Sequence, residues 1–140
     1  MLTIGHRGAR GYIAENTLES IQKALDLNVD GVEIDVFRCA SGEIVVFHDK
    51  KLKRLTGHNG LIEETTFEEL KNMLVAGKYR IPTLQQVLDK IDGKILLNVE
   101  LKGENTAIPT ATILKQYLSE SQSDIEKLIV SSKNWKELTL

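Results

Sequence analysis

The 140 residues carry 41% hydrophobic and 27% charged side chains, an ordinary composition for one globular domain and not that of a disordered tail. Eighteen basic against twenty acidic residues leave a net charge of −2, which makes no electrostatic case for nucleic-acid binding, and the single Cys39 excludes an internal disulfide. No leader pattern opens the chain and no stretch approaches the roughly eighteen apolar residues of a membrane span, so the sequence reads as a cytoplasmic, soluble protein.

Residues 2–6 are short and apolar and predict a first strand. Asn16-Thr17-Leu18-Glu19 offers a helix cap, and Leu18, Ile21 and Leu25 recur at helical spacing, which predicts a helix over about 17–27. Residues 31–37 are strictly alternating and predict a strand, as do residues 44–47 after the turn at Ser41-Gly42. From Lys50 to Arg80 the texture turns polar and turn-rich, with one short helix signalled by Thr66-Phe67-Glu68-Glu69, so residues 50–81 are read as an inserted subdomain. Pro82-Thr83 opens a helix carrying Leu84, Val87, Leu88 and Ile91, which Gly93 stops. A strand over 95–101, a helix with Ile113, Leu114, Tyr117 and Leu118, and a strand over 128–131 follow. Asn134-Trp135-Lys136-Glu137 then starts another helix.

Strands alternating with helices argue for a parallel sheet covered by helices, either doubly wound or a (β/α) barrel. The two-residue period decides between them. Val32, Ile34 and Val36 share one face of their strand while Glu33 and Asp35 share the other; Ile95, Leu97, Val99 and Leu101 oppose Asn98, Glu100 and Lys102 in the same way. A doubly wound sheet is apolar on both faces, whereas a barrel admits polar groups inward at its C-terminal mouth, so a TIM-type barrel is the expected fold. Solvated carboxylates on an edge face are the alternative for Glu33, Asp35 and Glu100, but these strands sit between helical segments, where one solvated face is unusual. Pointing inward, the three would repel one another unless a cation lay between them, and a hard, oxygen-preferring divalent ion, Mg²⁺ or Ca²⁺, is the natural occupant.

His6 and His48 each end a strand and would reach the same mouth, where a pair of histidines beside carboxylates suits general acid and base work. Arg7 and Lys102 would balance an anionic substrate. His58 reads as a solvated turn residue and Cys39 as an inert thiol beside a turn. Asn16 reads chiefly as a helix cap, Glu15 as a favourable charge at the helix start, and Lys50, Lys51, Lys53 and Arg54 as a solvated basic run that, near the mouth, could help attract anions. Gly5, Gly8 and Gly11 do not have the spacing of a dinucleotide loop.

His6-Arg7-Gly8, Glu15-Asn16-Thr17, Glu33-x-Asp35, His48-Asp49 and Glu100-x-Lys102, with Ile81-Pro82-Thr83-Leu84 between the last two, resemble the motifs of the glycerophosphodiester phosphodiesterase family in their order. The resemblance implies a TIM-type barrel with a small inserted subdomain after the strand that ends in His48-Asp49. It further implies metal ligation by Glu33, Asp35 and Glu100, proton exchange by His6 and His48, and phosphate binding by Arg7 and Lys102. The implied reaction is metal-dependent hydrolysis of a glycerophosphodiester to glycerol 3-phosphate and an alcohol; a related phospholipase D type of barrel enzyme is the alternative. A complete barrel needs roughly 200 residues or more, so this one reads as truncated after about five strands. The open edges lead to the expectation of a homo-oligomer or a piece of a longer chain, and an impaired fragment that binds only metal, phosphate or a partner is a further alternative.

Overall fold

The computed structural model describes residues 1–139. Its main sheet contains four parallel strands, in the spatial order β1 (Ile4–His6), β2 (Gly31–Arg38), β6 (Leu96–Leu101), β7 (Leu128–Ser132). The helices α1 (Leu18–Asp26), α4 (Leu84–Ile91) and α5 (Ala107–Ser121) cover one face, where Ile21, Leu84, Val87, Leu88 and Leu114 pack on Val32, Ile34, Val36, Leu97, Val99 and Leu101. The alternation read from β2 and β6 is therefore the division between a helix-covered apolar face and a polar inner one. Burying such Val, Leu and Ile side chains contributes about 1.5–3 kcal/mol each and is the main term holding sheet and helices together.

The strand β3 (Ile44–Val46) departs from a simple parallel order. It runs antiparallel to β2, with Val36 opposite Val46, Phe37 opposite Val45 and Arg38 opposite Ile44. The cause is the length of the connection. A parallel return needs about a dozen residues or more, whereas Cys39 to Glu43 closes directly, with the Cys39 amide donating to the Glu43 carbonyl at 3.0 Å. Of the five strands expected, four are thus barrel strands and the other is the return arm of a hairpin.

Residues between β3 and α4 leave this sheet. They form the short helices α2 (Lys53–Thr56) and α3 (Phe67–Leu70) and a two-residue ladder of β4 (Leu74–Val75) with β5 (Tyr79–Arg80). Thr66 and Glu69 form the capping box expected at α3. Leu52, Ile62, Leu70, Val75 and Ile81 bury themselves against Phe37, Val45 and Phe47, a second apolar cluster beside the hairpin.

The cap of α1 is Thr17 rather than Asn16: the Thr17 hydroxyl accepts from the Ser20 amide at 3.1 Å, while Asn16 sits in the left-handed region at φ 54°. Gly8, at φ 80°, lies so close to Ser20 of α1 that a Cβ there would collide with it, which accounts for a glycine in this loop without any dinucleotide role.

At the other end of the chain, the short helix α6 (Trp135–Leu138) carries a buried carboxylate, Glu137. It accepts from the amides of Asn105, Thr106 and Ala107 at 2.9, 3.0 and 2.8 Å and so caps the start of α5, where Thr106 supplies no side-chain cap of its own. Replacing Glu137 by Ala is expected to cost about 2 kcal/mol, because the three donors lose one shared charged acceptor. Urea denaturation reads this directly; a loss under about 0.5 kcal/mol, the size of an unremarkable surface change, would show that water replaces the carboxylate.

Candidate active site

The parallel register brings the acidic residues together. Asp35 of β2 stands directly opposite Glu100 of β6, and Glu33 lies two residues back on the same face. One oxygen from each of the three lies within 4.8 Å of the others. Glu33 and Asp35 are buried, so the solvated-edge explanation does not hold for them. His6 is paired in register with Glu33, and its Nε2 is 3.5 Å from a Glu33 oxygen.

Arg7 follows at the end of β1 with its backbone in the left-handed region, φ 54°. The conformation is held from several sides: its amide donates to Glu33 at 3.3 Å, and its carbonyl accepts from the Asn16 amide at 2.9 Å and the Ser20 hydroxyl at 3.0 Å. The guanidinium donates to Glu15 at 2.7 Å and leaves Nε buried without a hydrogen-bond partner, 3.5 Å from Asp35. Lys102 places Nζ 3.4 Å from Glu100 and 3.8 Å from Asp35.

The hairpin delivers His48. Because β3 runs back along β2, the Phe47 amide donates to the Asp35 carbonyl at 2.9 Å, and the next residue is set down beside the acidic cluster. His48 Nδ1 is 2.6 Å from Asp49, and Asp49 receives a fork of two hydrogen bonds from Arg54, at 2.8 and 2.9 Å. All seven residues singled out from the sequence, His6, Arg7, Glu33, Asp35, His48, Glu100 and Lys102, therefore gather at one end of the sheet.

Sequence reasoning undervalued four others. Glu15 joins Arg7 to Arg54, Asn16 donates its side-chain amide to Asp35 at 3.1 Å, Asp49 holds His48, and the half-exposed Arg54 bonds both Glu15 and Asp49. The signal available was their position inside the quoted motifs, Glu15-Asn16-Thr17 and His48-Asp49; for Arg54 it was only its place in a basic run near the mouth.

The electrostatics are strongly unbalanced. Burial first, then the charges of Asp35 and Glu100, push the Glu33 carboxyl up to about 7. Partial burial, with Arg7 and Arg10 nearby, holds the His6 imidazole below its usual value. Hydrogen bonds from Arg54 hold Asp49 down at about 2 against the opposing effect of burial. For Glu15, burial pushes upward, but the hydrogen bonds from Arg54 and Arg7 outweigh it. With Glu33 ionised, as a bound cation would require, Glu15, Glu33, Asp35, Asp49 and Glu100 face Arg7, Arg54 and Lys102, so five carboxylates meet three fixed cations. The surplus equals the charge of one divalent ion. Glu33 also keeps one buried carboxylate oxygen without any partner, and an all-oxygen donor set of this kind fits a hard divalent cation.

Comparison with known proteins gives the family. Residues 6–140 match the glycerophosphoryl diester phosphodiesterase family. The chain belongs to that family. It is 34% identical over 146 residues to a glycerophosphodiester phosphodiesterase of Caldanaerobacter subterraneus, covering 95% of this chain and 58% of the relative. Among solved structures it is similar to the Thermotoga maritima glycerophosphodiester phosphodiesterase, with a TM-score of 0.83 and 33% identity over 99% of this chain and 57% of that one. It is also similar to an Oleispira antarctica phosphodiesterase in complex with the product sn-glycerol-3-phosphate, with a TM-score of 0.86 and 33% identity over 99% of this chain and 60% of that one. The chain thus spans less than two thirds of the length of these family members. The fold is that of the family's TIM-type barrel, of which the described residues supply four parallel strands.

The raised Glu33 carboxyl gives a pH signature in the metal-free protein. Between its ordinary value of 4.5 and about 7, the folded chain keeps a proton that the unfolded chain has released, so stability falls as pH rises through that window. Denaturation in chelator at about pH 5 and about pH 8 is expected to show this loss in the wild type and most of it gone in Glu33→Gln. An equal loss in the variant would place the repulsion on another group.

Proposed function

We propose that the protein hydrolyses glycerophosphodiesters to glycerol 3-phosphate and an alcohol in a divalent-metal-dependent reaction. The observation that carries this reading is the convergence of two histidines, three carboxylates and two cations at one sheet end, in a chain of this family. The product-bound Oleispira relative supports the substrate class.

Glu33, Asp35 and Glu100 would hold Mg²⁺ or Ca²⁺, which offsets their charge and polarises a phosphoryl oxygen. Arg7 and Lys102, the cationic side chains nearest the cluster, hold the phosphate. His6, with its lowered pKa, accepts the proton of the attacking hydroxyl. His48, with Nδ1 tied to Asp49, delivers to the departing alkoxide the Nε2 proton that its doubly protonated ring carries. The segment 50–81 acts as an inserted subdomain that braces this half of the site through Arg54. Among the described residues no helix is long and apolar enough to cross a membrane.

The purified chain is expected to release glycerol 3-phosphate from glycerophosphocholine or glycerophosphoethanolamine, followed with a coupled dehydrogenase, and to stop on adding chelator. His6→Ala and His48→Ala should each lower turnover by roughly 10² to 10⁴ with folding retained. Full activity in either variant would remove that histidine from the proton transfers. Turnover of lysophosphatidylcholine in place of the water-soluble esters would support the phospholipase D alternative.

The parallel strands β1 and β7 each leave one edge unpaired within the sheet, and Leu2, Ile4, Ile129 and Val130 beside those edges are exposed. We infer that further polypeptide or a second copy covers them in the working protein. Light scattering on the 140-residue chain is expected to show self-association; a stable monomer at micromolar concentration would contradict the inference.

A further inference from the structure

The guanidinium of Arg54 is shared between two carboxylates, each in a fork. Through Nε and Nη2 it donates to the two oxygens of Asp49 at 2.8 and 2.9 Å. Through Nη1 and Nη2 it donates to the two oxygens of Glu15 at 2.8 and 3.2 Å. Each carboxylate then holds a different member of the site: Asp49 lies 2.6 Å from His48 Nδ1, and Glu15 accepts from Arg7 at 2.7 Å. One side chain of α2 is thus the junction of an unbroken chain running from Asp35 through Arg7, Glu15, Arg54 and Asp49 to His48.

We propose that Arg54 is a positioning residue that sets both the tautomer of His48 and the orientation of Arg7 by clamping Asp49 and Glu15. This rests on the phosphodiesterase reading only for its kinetic consequence. A carboxylate held at Nδ1 keeps the proton on that nitrogen and leaves Nε2 for exchange with substrate, the logic by which an aspartate orients a catalytic histidine elsewhere. A carboxylate free to rotate would not hold it. Only a planar guanidinium can offer two forks at once; an ammonium at the same place is a point charge.

Packing does not account for the arrangement. The Arg54 side chain is 51% exposed, where an ion pair adds little to stability, yet it joins two separate loops, the one after β1 and the one after β3. The same subdomain touches the third loop at the site: Glu63 lies against the backbone of Gly103 and Glu104, just beyond Lys102, and a Cβ at Gly103, whose φ is 68°, would strike it. The insertion therefore grips the rim on both sides of the acidic cluster, and Arg54 is the contact that reaches the groups proposed to move protons and hold phosphate.

The test is Arg54→Gln and Arg54→Lys in the whole chain, with three readouts. The side-chain ¹⁵N shifts of His48 report its tautomer whether or not the chain turns over substrate. In Arg54→Gln they are expected to move from the Nδ1-protonated pattern toward a tautomer mixture while the thermal midpoint stays near that of the wild type. Against glycerophosphocholine, kcat should fall about 10- to 100-fold, the range seen when a group orienting a first-contact side chain is removed, and KM should rise through Arg7. Arg54→Lys should not restore kcat, whereas a role in charge balance alone predicts full rescue. Unchanged His48 shifts in Arg54→Gln, or wild-type kcat in Arg54→Lys, would overturn the proposal. An inactive wild type with the expected His48 shifts would instead count against the phosphodiesterase reading and leave the clamp standing.

Discussion

Like charges held across a parallel ladder are the constraint around which the rest of this molecule is arranged. Asp35 and Glu100 are register partners on β2 and β6, a placement that destabilises a sheet, and Glu33 adds a third carboxylate to the same face. Everything nearby answers that repulsion. Glu33 retains a proton well above the usual carboxyl range, Asn16 gives an amide to Asp35, and the Arg7 guanidinium and Lys102 ammonium lean toward the cluster without hydrogen-bonding to it. The fold tolerates the conflict because on the opposite faces of the same strands Val32, Ile34, Val36, Leu97, Val99 and Leu101 are buried under helices.

The second group of site residues reaches the cluster by a different route. Parallel strands can carry side chains to a barrel mouth only at their own ends, yet His48 comes from a strand pointing the other way. The extension of β2 to Arg38 and its tight return through β3 carry the chain past the mouth and then back to the level of Asp35. That return exposes an apolar ridge of Phe37, Val45 and Phe47, which the segment between β3 and α4 covers. That segment thus has a packing reason to lie where it does before it has any functional one. Its position then puts Arg54 within reach of two loops that the barrel alone would leave loosely tied.

The strands' two-residue period made the acidic cluster legible: Glu33, Asp35 and Glu100 could be assigned to one face from alternation alone, and the register places them as that alternation implies. The ordered motifs made the family legible. Other features were hidden for identifiable reasons. Whether β3 runs parallel or antiparallel depends on the reach of the five residues 39–43, which a pattern of apolar residues does not express. Asn16 stands where a cap would stand, and nothing in Asn16-Thr17 says that Thr17 takes that role while the asparagine turns left-handed toward Asp35. Arg54 lies among lysines, and its two partners are distant in sequence or on another loop, so no local spacing marks it. Glu137 was the plainest omission: it looked like the third residue of a helix start, whereas its carboxylate serves the start of a different helix.

That carboxylate has a bearing on motion. The opening amides of a helix ordinarily exchange with solvent quickly, since they have no partner within the helix. In α5 the amides of Asn105, Thr106 and Ala107 are tied instead to a residue some thirty positions further along the chain. Their protection from hydrogen exchange is therefore a property of the docking of α6 and not of α5. Lifting that short helix would free the loop directly behind Lys102, so the docking of α6 is coupled to the wall of the acidic cluster by a single side chain.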